Sequence, residues 1–493
     1  MALIITQGAN YKTIPAESQI IFGVSDTTIV AAQTGVKYKC EVYVSDSSSL
    51  PQTLVATLKT SPNNAGTGMF DLRPIITSYV KPNHLGTNED LGGQTFTTSQ
   101  FKTVDFGNYN QFPVHVIDRY ALGVNVVKFL SFIFYVEYLD TATNAMVDSG
   151  QSSPLYNYFM YNGVLYHEDI LTQGFASHNF GYDLDAYNFI MNDSDAKFLT
   201  NSPTTQYARL TDYGTLSFFT QFHSGANSFE TAPNGTAGSR NAVNVVKLKM
   251  YNSSNVQLGV TQSINNSVGS EGGSGALGLD LCFARLLFMG AYPANLRAWN
   301  TVFNTNLADI SYYTLQAEDD SGNAISKLYT INIICDSSKG YESIRLAWLN
   351  KFGVWDYYTF TMKSIRGLAT NRTTYTQLGG TWNDEYYIPY SYKGGEKNFK
   401  VNAKERITLN TDFLNNDNES AWLEELINSS EVYIIKEFDS TYTPTTNVSS
   451  FNRYVEPVRV TNSNFIRKTV ANDKLIQYTI EIERNKNQRT HTG

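Results

Sequence analysis

The sequence is poor in the residues that most often fix a fold covalently or hold a metal. It has three cysteines in 493 residues, far apart at Cys40, Cys282 and Cys335. An odd number of distant cysteines without metal-ligand spacing argues against a disulfide framework and a zinc site. Only six histidines occur, and none forms a pair such as HExxH. We therefore expect buried free thiols, no metal and no cofactor.

Charged side chains are also scarce. They make up 17% of the chain, below the average of about 25%, and the net charge is −8. The first dense basic run is Arg484–Arg489, close to the end of the sequence. An acidic chain without a basic patch is not expected to bind nucleic acid specifically. A surface with few charges suits a protein packed against many neighbours, and it equally suits an extracellular β protein.

Long hydrophobic runs are missing as well. The first residues lack the basic and apolar regions of a secretory signal, which favours synthesis in the cytoplasm without export by the general route. The most apolar stretch, Leu122–Leu139, is interrupted by Lys128 and Glu137 and is rich in β-branched and aromatic residues. It predicts one or two buried strands and no membrane insertion.

Active-site signatures are missing too. No GxSxG elbow, Walker loop or Rossmann fingerprint occurs. Gly379-Gly380 and Gly394-Gly395 lack the Lys-Ser/Thr of a phosphate loop, so we interpret them as turns. In the cluster His167-Glu168-Asp169, neighbouring side chains on a strand would point to opposite faces. The sequence therefore predicts a protein that is not an enzyme.

Carboxylates are the remaining candidates for chemistry. Asp183/Asp185 and Asp193/Asp195 have a spacing that places two carboxylates on one face of a strand, where they can bind Ca²⁺. No EF-hand glycine or distal glutamate completes the pattern, so a solvated Asp/Asn-rich loop is the favoured interpretation.

What the sequence has in abundance is strand-forming residues. Aromatics reach 13%, with 33 Tyr, and alternating runs such as Val36–Val44 have the period of a half-buried strand. We predict a mainly β, multi-domain, β-sandwich-like architecture with a few short helices. The predicted domains are a first sandwich-like domain, a middle β-rich domain with long Asn/Ser/Gly loops such as Ser263–Gly278, and a last β domain: 1–150, 151–335 and 336–493.

One segment in the last domain has a clear helical pattern. The predicted helix covers about residues 420–428, with Ser420 as a plausible N-cap and an apolar stripe that includes Trp422 and Leu426. A polar tail, Asn485–Gly493, ends the sequence.

A strand–turn–strand is predicted around residues 344–360. Asn350 can satisfy turn amides, Gly353 can supply a positive φ, and Asp356 can accept backbone N–H groups. Trp348 and Trp355 would anchor the turn. This segment, together with the stretch from Thr411 through the predicted helix to Glu483, resembles tail-associated structural proteins of tailed phages, particularly of Bacteroidetes hosts.

The resemblance implies a component of a virion, in its tail, baseplate, hub or neck. We expect such a protein to form a homo-oligomeric ring and to contact other virion proteins through β edges, loops and termini.

Two other functions stay open. The chain can be a host-recognition module that binds cell-surface glycans, for which the candidate contacts are Trp299, Trp382, Tyr386 and Tyr387. It can also be a polysaccharide depolymerase that uses Asp183 or Asp185, since a glycosidase needs only two carboxylates at a set separation.

Overall fold

The computed structural model describes residues 3–9, 13–46, 52–81, 101–102, 124–166, 169, 179–180, 184, 187–219, 243–266, 286–319, 321–334, 340–381, 386–414, 417–436, 455–462, 466, 476–484 and 488–489. Within this part of the chain, 26 strands form five separate sheets, and the five α-helices are short. The predicted fold class, mainly β and sandwich-like, is confirmed.

The chain divides into two compact units. The first comprises Met1–Ile334, Leu349–Asp356 and Glu437–Phe451, and the second comprises Cys335–Trp348, Tyr357–Lys436 and Asn452–Gly493. The three domains with boundaries near residues 150 and 335 stay a prediction.

The first 180 residues of the first unit contain eleven described strands, two α-helices and a 3₁₀ turn at Val124–Val126. The helices are α1 (Thr27–Ala32) and α2 (Arg73–Tyr79), and the strands are β1 (Ile4–Ala9), β2 (Thr13–Pro15), β3 (Ile21–Ser25), β4 (Thr34–Ser45), β5 (Thr53–Thr60), β6 (Thr67–Asp71), β7 (Phe101–Lys102), β8 (Val127–Asp140), β9 (Ala145–Ser152), β10 (Tyr156–Tyr161) and β11 (Asn179–Phe180).

Two of the sheets pack face to face as a sandwich. One has the order β11-β1-β3-β6 and the other β2-β10-β8-β4-β5, with β9 also paired to β8. Their inner faces share one apolar core, in which Phe22 of β3 lies 5.4 Å from the rings of both Phe132 and Phe134 of β8. Alternation along β4 buries Tyr38 and Cys40, as a strand with one covered face requires. The sheet extends beyond residue 150 through β10.

The next part of the first unit has seven described strands and two helices. These are β12 (Thr205–Ala208), β13 (Thr215–Phe219), β14 (Val245–Tyr251), β15 (Gln257–Asn265), β16 (Leu286–Gly290), α3 (Pro293–Trp299), α4 (Thr301–Thr305), β17 (Tyr312–Glu318) and β18 (Tyr329–Ile333).

They form a five-stranded sheet, β12-β18-β17-β14-β15, and a three-stranded sheet, β13-β16-β7. Strand β15 pairs with β14 as far as Asn265, so the loop predicted for Ser263–Gly278 begins too early. The polar composition of residues 263–265 is typical of loops as well as of exposed strands. Their antiparallel pairing with Val245–Lys247 decides that they form a strand. Residues 267–278 lie outside the described part.

The second unit contains one described helix and one large sheet, of whose residues only Leu349, Trp355 and Asp356 are assigned to the first unit. The elements are β19 (Ile344–Leu349), β20 (Trp355–Phe360), β21 (Ile365–Gln377), β22 (Gly395–Asn410), α5 (Asp417–Asn428), β23 (Val432–Ile435), β24 (Val455–Val460), β25 (Thr479–Arg484) and β26 (Gln488–Arg489).

The order in this sheet is β20-β19-β23-β24-β25-β22-β21, and β26 also pairs with β22. Helix α5 buries Trp422, Leu423 and Leu426 in a core with residues of the sheet such as Trp348 and Ile480. The predicted helix is found, but Ser420 is not its N-cap, because the helix begins at Asp417 and Ser420 is buried inside it. The acidic residue Glu419 suits a first helical turn, which agrees with the earlier start.

Candidate interaction surface

The most exposed secondary structure in the described chain is a long antiparallel hairpin, which we call the arm. Strand β21 pairs with β22 from Ile365 opposite Thr408 to Gln377 opposite Gly395. On its other side β22 pairs with β25 over Arg406–Asn410 and with β26 at Asn402 and Ala403.

Beyond Asn402, no third strand flanks the ribbon among the described residues. We call residues 372–381 and 386–401 the outer arm.

Neither face of strand β21 is covered. Every residue from Ile365 to Thr376 is exposed, whereas a strand on a sheet with one packed face alternates buried and exposed positions. Leu368 is 58% exposed, and on the partner strand Phe399 is 51% exposed. Tyr375 and Phe399 form an edge-to-face pair, with ring centroids 6.5 Å apart. Strand β21 thus contacts β22 through cross-strand pairs and presents apolar side chains to solvent.

The end of the arm carries a group of tyrosines. Tyr386 is 72% exposed and Tyr392 is 68% exposed. The rings of Tyr390 and Tyr392 lie 5.3 Å apart, and the Lys393 ammonium lies 5.3 Å from the centroid of the Tyr390 ring. Aromatic rings with polar tips and an adjacent cation are typical of protein–protein and protein–sugar contacts.

Glycines shape the same end. Gly380, Gly394 and Gly395 all have positive φ, between 77° and 94°. A Cβ on Gly380 would lie 2.5 Å from Cε2 of Tyr387 and 2.6 Å from the carbonyl oxygen of Ile388, so only glycine fits there. These three glycines belong to Gly379-Gly380 and Gly394-Gly395, the two pairs that the sequence predicts as turns.

A row of ion pairs crosses the sheet at the inner end of the arm. Arg366 of β21 pairs with Glu342 and with Glu405 of β22, at 2.5 and 2.6 Å. The opposite oxygen of Glu405 accepts a 2.7 Å hydrogen bond from Arg484 of β25. We call the full series the charge ladder: Glu342, Arg366, Glu405, Arg484, Glu456 and Lys436.

Glu456 is the buried member of the charge ladder. It is 2% exposed, and both of its oxygens accept hydrogen bonds from Arg484, at 2.5 and 2.7 Å. Lys436 adds a hydrogen bond of 2.8 Å. Burial alone would raise the pKa of Glu456, but these cationic donors outweigh it and lower the pKa to about 2. The carboxylate is therefore ionised throughout the physiological range.

Glu483 of β25 forms a second set of ion pairs between β25 and β22. Its carboxylate accepts hydrogen bonds from Lys404, Arg406 and Arg459, at 2.9, 3.3 and 2.8 Å. The hydrogen bond from Lys404, with that from Arg406, lowers the pKa of Glu483 although the side chain is buried. The two sets of ion pairs fix the register of β22 against its neighbours where the arm leaves the sheet.

The predicted strand–turn–strand forms a tight turn, and its middle part, Leu349–Asp356, belongs to the first unit. Asn350 Oδ1 accepts hydrogen bonds from the backbone N–H groups of Phe352 and Val354, at 3.0 and 3.3 Å. Its Nδ2 donates to the carbonyl oxygen of Leu199 at 2.9 Å. Gly353 has φ of 71°, and a Cβ there would lie 1.6 Å from the carbonyl oxygen of Asn162.

The other three predicted turn residues are buried. Trp355 and Asp356 are 2% and 4% exposed. Trp348 belongs to the second unit, where its ring lies 5.3 Å from that of Trp422. All five residues serve packing and backbone geometry, and the structure does not bring them together as a ligand site.

The predicted glycan contacts are placed only in part. Tyr386 and Tyr387 lie near the end of the arm and are both exposed, whereas Trp382 lies outside the described residues. The backbone of Trp299 ends helix α3 in the first unit.

Of the carboxylates considered for chemistry, Asp183, Asp185 and Glu168 lie outside the described residues. Asp193 Oδ1 accepts the backbone N–H of Asp195 at 2.8 Å, in an exposed turn. Among the described residues, no cluster of three metal-ligating side chains occurs. None of the described helices is long and apolar enough to span a bilayer.

The arm and the charge ladder were not recognised from the sequence. The signal for the arm was present in the two glycine pairs, which stand fourteen residues apart and bracket the tyrosine-rich end. The charge ladder joins residues of four separate strands with Glu342, which precedes β19, and Lys436, which follows β23, so no local pattern indicates it.

Comparison with known proteins gives little similarity. No family model matches the chain, and no curated protein matches it. A solved structure of native E. coli alpha-2-macroglobulin is 7% identical with a TM-score of 0.17, over 83% of this chain and 22% of that chain. A partial N-terminal region of an enterococcal surface protein is 8% identical with a TM-score of 0.13, over 67% of this chain and 94% of that chain.

The chain thus spans only about a fifth of the length of the macroglobulin. Similarities this weak support no conclusion about fold or function.

Proposed function

We propose that this protein is a structural component of a tailed-phage virion, in the tail, baseplate, hub or neck. Its role is assembly with further copies of itself and with neighbouring virion proteins, and not catalysis. The observation that carries the proposal is the arm, in which strand β21 exposes apolar side chains on both of its faces and β22 exposes Phe399. Exposed apolar surface of this extent is typical of protein interfaces.

Two further features support assembly. Among the described strands, β21 is the last of its sheet, so one side of it presents backbone N–H and C=O groups to which another chain can pair. The segments Ile344–Phe360 and Thr411–Glu483 also resemble tail-associated structural proteins of tailed phages.

The test is to find the chain in particles. Phage particles are purified from cells that carry the gene, their proteins are identified by mass spectrometry, and antibodies against the arm locate the chain by electron microscopy. We expect a fixed number of copies per particle and labelling at the tail or neck. Particles that lack the chain while the cells contain it would contradict the proposal.

A second candidate function is recognition of host-surface glycans. The observation in its favour is the exposed tyrosine group with Lys393 at the end of the arm. Aromatic faces stack on sugar rings and phenol hydroxyls hydrogen-bond to them. A glycan array probed with wild type and with a Tyr386→Ala/Tyr387→Ala variant tests it: recognition predicts selective binding that the variant loses, and an array without bound glycans argues against it.

A further inference from the structure

The outer arm lacks the support that a two-stranded ribbon normally needs. A two-stranded hairpin on its own is marginally stable in water, and three strands or a packed face are required for independent stability. The outer arm has neither among the described residues, and it exposes Leu378, Tyr386, Tyr392 and Phe399 by 51–72%. A partner that covers one face would supply the missing burial.

The charges of the arm indicate which partner. Residues 386–406 contain five Lys or Arg and two Asp or Glu, whereas the next segment, residues 407–435, contains six Asp or Glu and no Lys or Arg. The second segment includes helix α5, whose apolar side faces the core and which also buries Glu425, whereas Glu419 and Glu424 stay partly accessible to solvent. We call residues 419–431 the acidic segment.

One copy of the chain cannot bring these two charged regions together. Strand β22 is continuous from Gly395 to Asn410, and Ile407 lies in the core that α5 covers. Lys397 is ten residues from Ile407 along this strand, a distance of about 33 Å at about 3.3 Å per residue. Helix α5 itself is only about 18 Å long, and charges are screened beyond about 8 Å at physiological salt.

We propose that the outer arm of one copy docks on the acidic segment of a second copy. This inference rests on the proposed function and names the partner: another copy of the same chain. The two contacting surfaces differ, so the contact is heterologous and repeats from copy to copy, which produces a closed ring or an open array. Lys393, Lys397 and Lys400 supply the positive side, and the exposed tyrosines and Phe399 supply apolar contact.

The test is a charge swap followed by sedimentation velocity in about 0.1 M salt. The arm variant carries Lys393→Glu, Lys397→Glu and Lys400→Glu, and the helix variant carries Glu419→Lys and Glu424→Lys. Each variant alone opposes like charges, so we expect its association to weaken at least 10-fold relative to wild type. Mixed together, the two variants restore complementary contacts in both directions, and we expect assembly close to that of wild type.

Association of each single variant at the wild-type level overturns the inference, as does a mixture that stays dissociated. Circular dichroism checks that both variants are folded. If the helix variant fails this check, an arm-shortened chain, with residues 373–400 replaced by Asn-Gly, decides the matter. Its association must fall to the level of the arm variant.

The inference and the proposed function fail in different ways. If the chain is found in particles but the charge swap does not change its association, the proposed function stands and the docking inference is wrong. If the charge swap changes association as expected but the chain is absent from particles, only the proposed function is wrong.

Discussion

Replacing Glu456 by Gln tests the charge ladder most sharply. The substitution keeps the shape of the side chain but removes the charge that Arg484 and Lys436 contact at 2.5–2.8 Å. A pKa lowered from 4.5 to about 2 corresponds to about 3 kcal/mol at about 1.36 kcal/mol per unit. The side chains of Arg484 and Lys436 are 23% and 46% exposed, so solvent screening reduces the loss to about 2 kcal/mol.

The pH dependence has a definite sign. The folded-state pKa of Glu456 is below its ordinary value, so the folded protein binds this proton less readily than the unfolded chain does. The stabilisation is therefore complete above about pH 5 and is lost as the pH falls through 4.5 toward 2. The difference between wild type and Glu456→Gln must shrink from about 2 kcal/mol at pH 7 to nearly zero near pH 2.

The assay is urea unfolding by tryptophan fluorescence, with hydrogen exchange of strands β24 and β25 as the local measurement. Glu481→Gln is the matched control, because Glu481 lies on β25 but is exposed. We expect the control to stay within about 0.5 kcal/mol of wild type. Equal stability of the two variants at pH 7, or a Glu456→Gln deficit that persists undiminished at pH 2, would refute the reasoning.

Three further substitutions test the packing. Trp422→Ala removes a buried indole from the core of the second unit, and we expect unfolding in urea to show a loss of about 3–5 kcal/mol; a loss below 1 kcal/mol would contradict this core. Asn350→Ala removes three hydrogen bonds, including that to Leu199, and should cost about 2–3 kcal/mol by the same assay, whereas wild-type stability would show that the turn does not need them. Gly353→Ala places a Cβ 1.6 Å from the Asn162 carbonyl oxygen, so we expect little soluble folded protein; a variant with a wild-type melting temperature would refute that geometry.

Local pattern predicted the fold class because strand-forming residues dominate the chain. Alternation along Val36–Val44 indicated a half-buried strand, and the structure buries Tyr38, Cys40 and Val42 as part of strand β4. The apolar run Leu122–Leu139 indicated buried strands, and it contains most of β8, a central strand with both faces covered for much of its length.

The rest depends on long-range pairing that no local pattern encodes. The helix around Trp422 was predicted from its apolar stripe, but its start was placed at Ser420, since a serine before an apolar run is a common N-cap. Glu456 and Arg484 look like ordinary surface charges in the sequence, and only the pairing of β24 with β25 places them within hydrogen-bonding distance. Of the candidate site, the sequence indicated Tyr386 and Tyr387 but not the ribbon that presents them.

We propose that this protein works by burying its exposed β surfaces against other copies of itself and against virion proteins. Light scattering coupled to size-exclusion chromatography of the purified full chain, across a range of concentrations, tests this proposal most directly. We expect an oligomer with a defined number of copies that dissociates in high salt. A chain that stays a monomer at every concentration, with virion proteins present or absent, would contradict it.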